Sequence, residues 1–141
     1  MILKLYFDGG NAEKIGVWAV VAKAEQTVVA KLAGLVEYRL PQTNNIAEWS
    51  AFYHAVLYGF TQQDYYEQLV IMGDSELVVK QAQGRFAITS PHLKDLYEKS
   101  RKVLDKLKIP CKIMWVPREE NGEADALGRT MRELDKRLPG R

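Results

Sequence analysis

The chain has 141 residues, 47% of them hydrophobic and 27% charged, with a net charge of +2. Such a length supports one domain with a core, and the composition is globular, which excludes fibrous and disordered classes. No run approaches the roughly 20 apolar residues of a membrane span. A charge of +2 is too weak to mark a nucleic-acid partner by itself, and the single cysteine, Cys111, excludes an internal disulfide. The opening MILKLYFDGG has too short an apolar run for a signal peptide, so a cytoplasmic protein is expected.

Ile2–Phe7 is rich in β-formers and meets Asp8-Gly9-Gly10, a turn signal that predicts a strand ending at Asp8. Gly16–Ala24 and Val28–Tyr38 predict two further strands joined by a hairpin at Glu25-Gln26-Thr27, which makes a three-stranded antiparallel meander. Gly34 inside the third strand predicts a bulge or bend. The next segment, QTNNIAEWS, is polar and then helical in spacing, with Trp49, Phe52, Tyr53, Val56, Leu57 and Phe60 forming an apolar stripe. Asn45 and Glu48 have capping-box spacing, with Asn45 as N-cap, and that local role alone would explain Glu48.

Gln68–Met72 is an all-apolar strand of the buried parallel kind, ending at Gly73-Asp74-Ser75. A short helix over Glu76–Gln83 follows, with Ser75 as N-cap and Gly84 as terminator. The helix opening at Pro91 buries Leu93, Leu96, Tyr97, Val103, Leu104 and Leu107. Lys112–Val116 is the fifth strand, Pro117–Gly122 a charged loop, and Glu123–Leu138 a final helix with Ala124, Leu127, Met131, Leu134 and Leu138 inward. Cys111, in an apolar run, reads as a small core residue. The order β-β-β-α-β-α-α-β-α predicts a single α/β domain over residues 1–141, a mixed sheet flanked by helices with its first and fourth strands parallel neighbours. Ligands of such sheets collect at the carboxyl ends of the strands.

Asp8 and Asp74 stand at two such ends, Glu48 near the start of the helix after the meander, and Asp125 in the first turn of the last helix. Singly, each has an ordinary meaning: turn chemistry for Asp8 and Asp74, a complement to the helix dipole for Asp125. Together they imply more. Two carboxylates ~4 Å apart repel by about 4 kcal/mol at an effective dielectric near 20. Several converging acids therefore require protons or a divalent cation, and hard oxygen donors select Mg²⁺ or Mn²⁺. A pair of such ions ~3.5–4 Å apart suits phosphodiester hydrolysis. No His/Cys cluster suggests zinc, and no phosphate-loop or dinucleotide fingerprint is present.

The motifs DGG at 8–10, TNNIAE at 43–48, GDSELVVKQ at 73–81 and VPREENGEADAL at 116–127, in that order on those elements, resemble type 1 ribonuclease H over essentially the whole chain. The resemblance implies a ribonuclease H-like fold: a five-stranded mixed sheet with helices on both faces. It implies endonucleolytic hydrolysis of the RNA strand of RNA/DNA hybrids, leaving 5′-phosphate and 3′-hydroxyl ends. Two Mg²⁺ or Mn²⁺ ions are implied, Asp8 touching both, Glu48 and Asp74 completing one shell and Asp125 helping to hold the other. Gly9, Gly10, Asn11, Thr43, Asn44 and Asn45 are implied to contact ribose 2′-hydroxyls and the minor groove, the features that separate RNA from DNA. The partner is the hybrid duplex; no membrane or protein partner is evident.

The chain departs from some relatives. Its loop before the last helix, Pro117–Gly122, has no histidine, and RFAITS between Gly84 and Pro91 leaves no room for a basic handle helix. Arg85, Phe86 and the basic residues Arg129, Arg132, Lys136, Arg137 and Arg141 are left to compensate. These departures keep an alternative in view, a catalytically weak or inactive nucleic-acid-binding module on the same fold. A 3′→5′ exonuclease of the wider superfamily fits less well, because DGG stands where those enzymes usually show Asp-x-Glu.

Overall fold

The computed structural model describes residues 1–137. Burial alternates along strand β1 (Ile2–Ala12), so Leu3, Leu5 and Phe7 point to one face, and Lys4, Tyr6 and Asp8 to the other. β1 pairs antiparallel with β2 (Ile15–Ala24), which pairs antiparallel with β3 (Thr27–Leu35). β4 (Gln68–Gly73) lies parallel to β1 on its other side, and β5 (Cys111–Trp115) parallel to β4. The result is one mixed sheet in the order β3-β2-β1-β4-β5.

Helix α1 (Asn44–Gln62) packs on β1 and β2, burying Trp49, Phe52 and Val56 against Leu3, Leu5, Phe7, Val20 and Ala22. Helices α2 (Glu76–Ala82) and α3 (Pro91–Leu104) join it. The Trp49 indole N–H donates to Gln81 Oε1 at 2.9 Å, and its ring meets Tyr97 edge-on at 6.0 Å. Helix α4 (Gly122–Arg137) takes the opposite face: Gly128 lies over Val17 and Ala19, which alternate with the residues facing α1. Helices therefore cover both faces of the sheet.

Several local expectations are corrected. β1 does not stop at Asp8, because its pairing with β2 continues through Gly9, Gly10 and Asn11 to Ala12. The turn comes at Glu13-Lys14, both with positive φ, and the second hairpin turns likewise on Glu25-Gln26 alone. What ends beside Asp8 is the parallel pairing, whose last pair is Phe7 with Gly73. β3 ends at Leu35, and the register shift lies at Ala22/Lys23 instead of at Gly34. Gly34 is small for a different reason: the Trp18 indole lies against it, and a Cβ there would approach within 2.7 Å. Trp18 is partly buried, stacked on His54 with ring centroids 3.7 Å apart. Leu134, expected inward, is 50% exposed. Leu138, Arg141 and the side chain of Arg137 lie outside the described residues.

The N-cap of α1 is Thr43, whose hydroxyl accepts from the Ile46 N–H at 3.2 Å, and not Asn45. With the helix begun at Asn44, Glu48 falls beyond capping-box reach. Its carboxylate is left for another purpose.

Candidate active site

The start of α1 runs against β1 where Gly9 has no side chain; a Cβ there would overlap the Ala47 carbonyl group. That closeness lets Glu48 reach over the strand and accept a hydrogen bond from the Gly9 N–H. Asp8, one residue back, projects beside it. Asp74 follows the last residue of β4, and Asp8 follows the last β1 residue that pairs with β4, so the two aspartates emerge side by side where the parallel pairing ends. Ligand oxygens of Asp8, Glu48 and Asp74 all lie within 4.8 Å of one another.

Asp74 is held from two sides. The buried Asn121 donates its Nδ2 hydrogens to the Phe7 carbonyl at 2.9 Å and to Asp74 Oδ2 at 3.0 Å, and the Trp115 indole N–H donates to the Asp74 carbonyl at 3.1 Å. Asp125, on the first turn of α4, completes the acidic rim of the same cleft and pairs with Arg129 at 3.0 Å.

The electrostatics follow from crowding. Burial above all, then the charge of Asp74, holds the Asp8 carboxyl up at about 7, with the hydrogen bond from Glu48 acting the other way and Asp125 adding to the rise. Burial, then the charge of Asp8, pushes Glu48 well above the usual carboxylate range, against the Gly9 N–H that favours its ionised form. The donor set is all hard oxygen, gathered where protons alone relieve the repulsion; it fits a divalent cation.

The cleft, of about 430 Å³, brings together Asp8, Gly9, Gly10, Asn44, Asn45, Glu48, Asp74 and Asp125 from the sequence reading. Two expected contacts stand outside it. Thr43 is occupied as the helix cap, and Asn11 lies behind the rim, its N–H donating to Asn44 Oδ1 at 3.0 Å. Ser75, Arg118, Arg129 and Arg132 also line the cleft. Asn121 carries no such signal in the sequence: an asparagine just ahead of a helix reads as a cap, and nothing in one sequence separates that from a bridge between two strands.

A five-stranded mixed sheet of this order, with acids where the pairing of its adjacent parallel strands β1 and β4 ends, defines the ribonuclease H-like class. The chain belongs to the reverse transcriptase-like family, whose family model matches residues 8–131. Among solved structures it superposes on RNase H1 of Halobacterium salinarum NRC-1 with a TM-score of 0.81 at 26% identity, over 94% of this chain and 98% of that one. The N-terminal RNase H domain of Rv2228c from Mycobacterium tuberculosis gives 0.82 at 23% identity, covering 94% of each chain. LC11-RNase H1, solved in complex with an RNA/DNA hybrid, gives 0.78 at 24% identity over 91% and 94%. The latter two likenesses, at such identities, speak for the fold alone.

Curated relatives include the uncharacterized protein YpeP of Bacillus subtilis, 28% identical over 130 residues, 90% of this chain and 57% of that protein. The bifunctional protein Rv2228c of Mycobacterium tuberculosis is 34% identical over 122 residues, 84% of this chain and 31% of that one. The chain thus spans a little over half of one relative and about a third of the other. Among the described residues, no helix is long and apolar enough to cross a membrane.

Proposed function

We propose that this chain is a divalent-metal-dependent ribonuclease H that cuts the RNA strand of RNA/DNA hybrids internally. The observation that carries the reading is the convergence of Asp8, Glu48 and Asp74 within 4.8 Å where the parallel pairing of β1 and β4 ends. Asp8, Glu48 and Asp74 would hold one Mg²⁺ or Mn²⁺, and Asp8 with Asp125 a second. When bound, the ions would supply an activated water and stabilisation of the leaving oxygen, giving 5′-phosphate and 3′-hydroxyl ends.

The protein's own residues prepare this chemistry. The Gly9 N–H aims Glu48, and Asn121 and Trp115 fix Asp74 from its side chain and its backbone. Asn44, Asn45 and Gly10 form the part of the rim along which a ribose-phosphate backbone would run, and Arg118 adds positive charge there. The cytoplasm is the compartment we favour, on the single free cysteine.

The test is cleavage of end-labelled RNA/DNA, RNA/RNA and DNA/DNA duplexes in parallel, with Mg²⁺ or Mn²⁺ and with chelator. Internal cuts in the RNA of the hybrid, lost with chelator and lost in Asp8→Asn, are expected. An intact hybrid in both metals refutes catalysis, and hybrid binding without cutting would instead identify a non-catalytic module.

A further inference from the structure

Resting on the ribonuclease H reading, we propose that Arg132 grips a backbone phosphate of the bound hybrid beside the acidic cluster, positioning the strand for cleavage. Asp125, Arg129 and Arg132 recur at helical spacing on α4, and all three line the cleft. The cations along this helix differ in what they already hold. Arg129 is tied to Asp125 at 3.0 Å. Lys136 is tied to Glu13 at 3.1 Å and to Glu133 at 3.5 Å. Arg132 makes no hydrogen bond or ion pair among the described residues, and its Nε is shielded from solvent without an acceptor. A donor buried in that way is unfavourable unless an acceptor arrives from outside the chain.

The place of the guanidinium says which acceptor. One of its terminal nitrogens would lie 3.3 Å from a Cβ on Gly10, so it rests against the bare backbone of β1, two residues past Asp8. Two residues of strand span about 6.6 Å. No acid of the cluster is within ion-pair distance of Arg132 among the described residues, so it does not serve to neutralise the cluster. A planar fork of N–H groups held open at that offset matches the paired oxygens of a phosphodiester. The strand lying over the acids would present its neighbouring phosphate there. Arg132 is thus a positioning residue, acting on where the strand lies and not on the reacting atoms.

The experiment measures binding of a fluorescent RNA/DNA hybrid across a salt series, in the Asp8→Asn background, for Arg132, Arg132→Gln and Arg132→Lys. Arg132→Gln should weaken binding roughly tenfold and reduce the slope of log affinity against log salt by about one. Arg132→Lys should recover the slope but only part of the affinity, because it keeps the charge and loses the fork. Both variants should match the parent in thermal unfolding. An Arg132→Gln protein with the parent's affinity and slope overturns the proposal while leaving the ribonuclease H reading intact. So does an Arg132→Lys protein whose slope is as low as that of Arg132→Gln. A parent that binds no hybrid at any salt refutes both readings together.

Discussion

Replacing Asp8 by asparagine should make the metal-free protein more stable, not less, above neutral pH. Burial and the charge of Asp74 hold the Asp8 carboxyl at about 7 in the folded protein, against 3.8 for a free aspartate. The folded state therefore keeps a proton that the unfolded state has already released. Below about pH 4 both states hold it and nothing is lost; between about 4 and 7 each rising pH unit removes up to about 1.4 kcal/mol; above 7 the loss is complete. The full difference is about 4 kcal/mol, and partial exposure of the site reduces it to about 2–4 kcal/mol. Independently, one pair of charges 4.8 Å apart at an effective dielectric near 20 repels by about 3.5 kcal/mol, which agrees in size. Asparagine removes the charge and keeps the shape. At ~3 °C per kcal/mol, chelator-treated Asp8→Asn at pH 8 should melt about 6–12 °C above the wild type. The two curves should converge towards pH 4. Millimolar Mg²⁺ should raise the wild type and leave the variant largely unmoved, by binding linkage. Thermal unfolding followed by circular dichroism from pH 4 to 9, with chelator and with Mg²⁺, is the assay. Wild-type and variant curves that run parallel over that range would show that the acids do not crowd one another, and the cation argument would fail with them.

Other perturbations test the scaffold beneath the site. Gly9→Ala forces a methyl into the Ala47 carbonyl and must push α1 off β1; a loss of about 3 kcal/mol in denaturant unfolding is expected, with metal binding impaired. Asn121→Ala removes both hydrogen bonds that join Phe7 to Asp74; calorimetric titration with Mn²⁺ should show affinity weakened roughly tenfold, and unfolding a loss of about 2 kcal/mol. Burial pushes the Cys111 thiol up to about 11, so about one molecule in a thousand carries the thiolate at pH 8; a disulfide reagent should react far more slowly with native than with urea-unfolded protein.

Element types and their order were legible in the chain because they depend on local periodicity. Alternating apolar residues made β1, near-continuous apolar runs made β2 and β4, the Trp49–Phe60 stripe made α1, and Pro91 and Gly84 marked helix limits that the structure keeps. The acids were legible too, through the small residues that follow Asp8 and Asp74. Element limits were less so, since they depend on partners: β1 outruns its Gly-Gly signal because β2 continues to pair with it. Helix α1 caps on Thr43 and frees Glu48 to take the Gly9 N–H.

Sequence alone determined which residues could carry charge to the ends of the strands, and that several would be acids. Only the tertiary structure decided that they meet within 4.8 Å, that Asn121 bridges Phe7 to Asp74, and that Arg129 holds an acid while Arg132 holds none among the described residues. The physical reason is range. Propensity and patterning act over a few residues, whereas the distance between two charges 66 residues apart is set by the packing of a parallel strand pair, to which neither charge contributes.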